Sequence, residues 1–368
     1  MAFFSPTKAF TKTERVMGKI YVLNQRHEET YDAAGKAMRD LLCILADKGS
    51  SVIWSVPKHC KKVVKVLDFP YMFLFVLCRV GRRDMIFYSI PENRAKIKLL
   101  KWLKAVKKFR ICCFINDLNA FRYEQAGFAV PNEERRRELE LLTAADTILA
   151  PNHNTVQMLT EAGVHTKMIP VGIWDYLMDD RQIAAMEMAI LQKKRDKEKL
   201  HIAFAGNLNK SEFLMKMEVP EGFKMELWGK LDDKKQQTLP EGCSYHGVLS
   251  SDEIPIAICT MDYGLVWDGV GSNAIEGGLG EYLRYNNSHK CALYLAAGVP
   301  VIVWSQSGMA HFVREHVCGV IIECLEEMAG ALRTADHERL KQNAMKVAPQ
   351  LRKGYYLSRA LDAAGNIK

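Results

Sequence analysis

Between Gly277 and Lys290 the chain reads GGLGEYLRYNNSHK, immediately before the apolar run CALYLAAGVPVIVW. A glycine-rich loop that opens a helix offers backbone N–H groups to an anion, and Arg284 and Lys290 would oppose its charge. Together they form a cradle suited to a diphosphate. Glu281, Tyr285, Asn286 and Asn287 crowd hydrogen-bonding groups into the same entrance. The alternative is a solvated helix start capped by Asn286 or Ser288.

A second candidate follows the run LHIAFAG. Gly206 at a strand end lets backbone approach a ligand, the next helix start supplies N–H groups, and Lys210 adds charge beside Asn207. An ordinary tight turn has the same composition. Earlier in the chain, Asn116-Asp117-Leu118-Asn119-Ala120-Phe121-Arg122 follows the run RICCFI. There Asp117 can act as a base or bind a sugar hydroxyl, or simply form a turn. The loop Asn24 to Thr30, with Arg26, His27 and Thr30, is the other candidate for a cleft lining. No GxxxxGK[ST], GxSxG or HExxH pattern occurs, which weighs against a P-loop kinase, a serine hydrolase and a zinc enzyme.

These loops need elements to position them. Short β-rich runs (KIYVLN, SVIWSV, MIFYSI, RICCFIND, DTILA, KMIPV) alternate with helix-length segments, then a charged stretch at Leu191 to Lys199 intervenes. The alternation restarts with LHIAFAG, MELWG, SYHG, DYGLVW, VPVIVW and CGVII. That pattern predicts βαβ units in parallel sheets, and 368 residues suffice for two domains. The expected fold class is α/β: two Rossmann-like halves facing a cleft, with ligands at the carboxyl ends of the strands.

The net charge of +8 is unevenly placed. Residues 58–110 hold 15 basic and three acidic residues, so this window carries +12 and the remainder −4. A nucleic-acid reader covering the whole surface is disfavoured, and no nucleic-acid partner is expected. The stretch RAKIKLLKWLKAVKKFR (94–110) reads as a crossover helix with its lysines in water; docking to an anionic membrane is the alternative. The run FPYMFLFVLC is about half the ~20 residues of a spanning helix, so a core helix or interface-seeking segment is expected. Ten scattered cysteines without a CxxC spacing, and a start lacking a signal-peptide core, point to a cytoplasmic protein.

The stretch GGLGEYLRYNNSHKCALYLAAGVPVIVW, with FAGNLNKS, NDLNAFR and PNHNTVQMLTEAGV, resembles the bacterial GT-B glycosyltransferases of the adhesin-glucosyltransferase and β-1,6-galactofuranosyltransferase type. The resemblance runs over most of the chain. It implies an acceptor-side domain over 1–180, a donor-side domain over 181–349, and a final helix (350–368) that crosses back to the first. It further implies transfer of a hexose, of glucose or galactofuranose type, from a UDP-sugar to a glycan, glycoprotein or lipid-linked saccharide, with no bound metal and no other cofactor. A homo-oligomer and peripheral membrane contact through 94–110 are compatible with it. By the resemblance, Gly206, Asn207, Lys210, Tyr245, Glu281, Arg284, Tyr285, Asn286, Asn287 and Lys290 face the donor. His27, Thr30 and Arg122 face the acceptor, and Asp117 is the candidate base of an inverting reaction. Two positions depart from the wider pattern. Leu293 stands where many retaining GT-B enzymes have a ribose-binding glutamate, and Asn116 stands where a histidine usually precedes the aspartate. A non-catalytic glycan- or nucleotide-binding subunit on the same scaffold is the competing reading.

Overall fold

The structure is a computed structural model in which residues 18–23, 33–53, 67–125, 129–193, 198–273, 275 and 280–365 are described. The first half contains β1 (Ile20–Leu23), β2 (Ser51–Ile53), β3 (Met85–Ile90), β4 (Arg110–Ile115), β5 (Thr147–Ala150) and β6 (Lys167–Pro170). They form one six-stranded sheet in the order β2-β1-β3-β4-β5-β6. The second half contains β7 (Leu200–Ala205), β8 (Phe223–Trp228), β9 (Cys243–Tyr245), β10 (Tyr263–Val266), β11 (Val301–Trp304) and β12 (Gly319–Ile322), in the order β12-β11-β10-β7-β8-β9. Every pairing is parallel. Both sheets therefore need helices on both faces, which explains why β1, β5, β10 and β11 are continuously buried apolar runs.

The helices that matter for the site are α1 (Ala33–Asp47), α2 (Asp68–Arg79), α3 (Arg94–Lys107), α4 (His153–Glu161), α5 (Asp180–Gln192), α6 (His289–Ala296), α7 (His337–Arg352) and α8 (Tyr355–Gly365). FPYMFLFVLC lies within α2, with Met72 and Val76 buried. Among the described residues no helix is long and apolar enough to cross a membrane.

Each sheet has an outer apolar cluster of its own, but the inner cluster is shared. It runs from Ile20, Phe87 and Phe114 through Trp174 and Tyr176 to Ala203, Tyr294 and Val303. The chain end reinforces that joint. After Gly354, at φ +71°, α8 turns back onto the first half. Asp175 accepts the N–H groups of Tyr356 (3.1 Å) and Leu357 (2.8 Å), Lys48 pairs with Asp362 (2.6 Å), and Arg110 donates to the Gly365 carbonyl (2.5 Å). The terminal helix thus crosses between halves, capped at its start by a buried carboxylate.

Candidate functional site at the strand ends

At the carboxyl ends of β7, β8 and β9 the backbone is held unusually close. Gly206 N–H donates to the Trp228 carbonyl (3.0 Å) and Gly229 N–H to that of Gly247 (2.8 Å). Gly229 has φ +135°, and a Cβ there would lie 1.6 Å from the Gly206 oxygen, so only glycine fits. Tyr245 braces this shelf by donating its hydroxyl to the Gly229 carbonyl (2.9 Å). Beyond Gly206 the chain makes a short 3₁₀ turn, Leu208–Lys210, with the Asn207 and Lys210 side chains exposed. Asn209 fixes that turn through hydrogen bonds to Asp232.

Lys290 reaches the shelf from the first turn of α6. A Cβ on Gly206 would come 3.1 Å from its Cε, and its Nζ lies 5.2 Å over the Phe204 ring. Its polar partners are weak: Asp268 at 3.7 Å and the Trp267 carbonyl at 3.5 Å. A cation at a helix N-terminus adds to the positive end of the dipole, an arrangement that favours an anion between the two. The helix itself is firmly seated. The Tyr294 ring packs on Gly264, where a Cβ would fall 2.2 Å from its Cγ, and its hydroxyl accepts the Ala205 N–H (2.8 Å).

The rest of the polar stretch does different work. Gly277 and Gly278 lie outside the described residues. Glu281–Arg284 is a 3₁₀ turn, and the helix begins only after Ser288, whose side chain makes no capping bond. Asn287 is buried and joins the two halves. Its Oδ1 accepts from Asn152 Nδ2 (2.9 Å), and its Nδ2 donates to the Pro151 carbonyl (2.8 Å). Asn152 also donates to the Tyr285 carbonyl (3.0 Å), and Asn154 to that of Arg284 (2.9 Å). Residues 284–287 therefore strap the second half onto the start of α4. Gly308 completes the joint, because a Cβ there would lie 2.3 Å from Asn152 Nδ2. Arg284 is held apart from Lys290 by Glu281 (2.8 Å), Gln306 and the Trp304 ring (4.5 Å). Asn286 keeps one buried acceptor, Oδ1, without a partner.

On the first half, Asp117 follows β4. Its Oδ2 pairs with Arg122 (2.8 Å), and its Oδ1 accepts the Leu118 N–H (3.0 Å). The same N–H donates to the hydroxyl of Tyr282 across the cleft (3.1 Å), and the Arg122 guanidinium lies 5.8 Å from the Tyr282 ring centre. Burial, reinforced by Asp117, pushes the Tyr282 phenol well above its ordinary value. The structure thus brings Asp117 and Arg122 together with Tyr282, while His27 and Thr30 lie outside the described residues.

Three participants escape a reading of the sequence. Asp268 is the carboxylate facing Lys290. Asn152, in PNHN, carries the joint between halves. His246 stacks on Trp228 (ring centres 4.7 Å, 23° between planes) next to the glycine shelf and bonds to buried Glu226 at 2.5 Å. Burial raises the Glu226 carboxyl, but His246, Lys224 and His201 outweigh it and hold it low. Only the Gly-flanked SYHG run hints at this corner.

Two parallel Rossmann-like sheets across a shared cleft, with a terminal helix that returns to the first, define the GT-B fold. Solved structures agree on the fold. WaaG, a glycosyltransferase involved in lipopolysaccharide biosynthesis, superposes with TM-score 0.54 at 13% identity, covering 94% of this chain and 99% of its own. Anabaena Alr3699/HepE in complex with UDP-glucose gives 0.54 at 12%, covering 95% and 100%. The chain belongs to the glucosyltransferase 3-like family: residues 19–173 match its N-terminal domain and residues 202–364 its C-terminal domain. The beta-1,6-galactofuranosyltransferase WbbI of Escherichia coli K12 is 24% identical over 348 residues, 93% of this chain and 97% of that protein. The protein is accordingly a hexosyltransferase.

Proposed function

We propose that the protein moves a hexose from a UDP-sugar to a saccharide acceptor, with the donor diphosphate between Lys290 and the glycine shelf. The observation that carries this reading is the weakly paired Lys290 at the start of α6, packed on Gly206. A UDP leaving group gains negative charge as the glycosidic bond breaks, and cations with fixed N–H dipoles stabilise that charge. Lys290, the α6 N-terminus and the exposed Lys210 supply those groups without a metal. The Trp228–His246 stack is a flat surface beside Tyr245 for the nucleobase. UDP-glucose, as bound by HepE, and UDP-galactofuranose, as the name of WbbI implies, are the donors to try first.

The acceptor lies against Asp117 and Arg122. In an inverting reaction Asp117 is the carboxylate that takes the acceptor proton; a retaining reaction needs no such base. The test combines UDP-dependent thermal stabilisation with UDP release from each donor. At one hundred times its Kd, UDP should add about 2.7 kcal/mol of stability. UDP release should be unaffected by EDTA. An absence of stabilisation by UDP, or activity abolished by EDTA and restored by a divalent ion, overturns the reading.

A further inference from the structure

We propose that the face formed by α2 and α3 is a docking surface for an anionic lipid bilayer. The two helices lie side by side on the outer face of the first sheet. Phe73 stacks with Trp102 (6.2 Å, 27°), and Lys107 Nζ donates to the Leu77 carbonyl (2.7 Å). Their inward positions, Met72, Val76, Ile97, Leu100 and Leu103, are buried, as amphipathic crossover helices require. The outward positions are not the polar ones such helices normally show. Leu74 is 56% exposed, Trp102 58% and Val106 61%, joined by Tyr71 and Leu77. These side chains alternate along two adjacent helices, so the apolar area is a patch rather than scattered single residues.

Arg79, Lys98, Lys101 and Lys108 are exposed on or beside these helices. Carboxylates border the patch too, but Asp146 is paired with Lys104 (2.5 Å) and Glu140 with Arg94 (2.6 Å), both cations of α3. Others nearby are engaged as well: Asp68 is buried against Lys96 (2.8 Å), Asp84 accepts the N–H groups of Lys19 (2.8 Å) and Gly81 (2.7 Å), and Glu92 accepts that of Asn93 (2.7 Å). Trp and Leu side chains that enter an interface between lysines reaching toward headgroups match the chemistry of anionic membrane surfaces. A second copy is a poorer occupant, because an isologous contact would set lysines against lysines. The surface is independent of the donor reading, since none of its residues touches the glycine shelf or Lys290.

Flotation of the full chain with phosphatidylglycerol–phosphatidylcholine vesicles and with pure phosphatidylcholine vesicles tests the assignment. Binding is expected on the anionic vesicles at low salt and release at high salt. Each lysine near such a surface contributes about fivefold, so Lys98→Gln, Lys101→Gln and Lys108→Gln combined should weaken binding about a hundredfold. Leu74→Glu with Trp102→Glu should abolish it. Both variants change exposed positions, and an unaltered melting midpoint with retained stabilisation by UDP will show that each is folded. Equal flotation of wild type and the lysine variant overturns the proposal. So does failure of the wild type to bind anionic vesicles, including the case in which Trp102→Glu instead converts a dimer to a monomer by light scattering.

Discussion

Residues 284–287 and Lys290 belong to one polar stretch, yet the fold uses them in opposite ways. Asn287 is 3% exposed and its amide is satisfied on both sides by the first half. Lys290, three residues on, has its nearest carboxylate at 3.7 Å and sits where the helix dipole is also positive. A side chain saturated by protein partners fixes geometry. One left with weak partners is available to a ligand. The stretch is therefore a joint at one end and, under the proposed function, a binding element at the other, and its chemistry at either end follows from what already occupies the hydrogen bonds.

Substitutions at the two ends should separate these roles. The largest expected effect is on catalysis. Lys290→Ala should lower kcat/KM for the UDP-sugar by about 10²–10³, the usual cost of losing one preorganised group at developing charge, while the melting temperature stays unchanged. Loss of stability with activity per folded molecule retained would move Lys290 to the joint. Asn287→Ala should do the reverse. It leaves the Pro151 carbonyl without its donor and removes an acceptor from Asn152, at about 1–3 kcal/mol of stability. Combined with Asn152→Ala, the loss should be less than additive, which calorimetric or denaturant unfolding will read. Full additivity would mean that the two amides do not act as a pair.

A smaller effect is expected where the two regions meet. In Gly206→Ala the new Cβ is 3.1 Å from Lys290 Cε, so the flexible lysine must shift and the shelf need not. An off-rotamer side chain costs about 0.5–1.5 kcal/mol, which corresponds to at most about a tenfold rise in the Kd for UDP. An effect on folding comparable to that of Asn287→Ala would show that the shelf moves instead.

The comparison also marks what a sequence discloses. The twelve strands among the described residues were legible from their alternation with helix-length segments, and the central ones, buried on both faces, read as short apolar runs. Gly206 and Lys290 were both singled out, although their contact across 84 positions was not. The Asn152–Asn287 pair spans 135 positions. In sequence, Asn287 reads as one of the groups facing the donor and Asn152 has no role of its own, whereas in the fold Asn152 caps α4 by accepting the Thr155 N–H (3.0 Å). Its second function uses the other end of the same amide, which no local pattern encodes. Asp268 was hidden for a related reason: a lone carboxylate after a strand has meaning only once the lysine facing it is known. The apolar face of α3 could be read from its spacing. That α2 extends the face depends on how two crossover helices lie on one sheet.

The cavity where the halves meet carries a final consequence. Asp175 and His289 both line a space of about 20 Å³, with Trp174 stacked on the imidazole (6.3 Å). Burial pushes Asp175 up from 3.8 to about 7, opposed by the N–H groups of Leu357 and Tyr356. Burial, helped by Lys36, pushes His289 down from 6.5 to about 4. Both groups are thus neutral between those limits. The raised carboxyl contributes stability that is complete below its unfolded value and fades as pH rises from about 4 toward 7. The depressed histidine contributes stability that is complete above its unfolded value and is lost as pH falls from 6.5 toward 4. Over their common window the two slopes oppose each other, so their joint contribution to the wild-type profile should be nearly flat. Melting temperatures measured from pH 4 to 7 should expose each slope in turn. Relative to wild type, Asp175→Asn should lose stability toward pH 4, and His289→Gln should lose it toward pH 7. Profiles parallel to the wild type for both variants would mean that neither group changes its proton affinity when the two halves close on it.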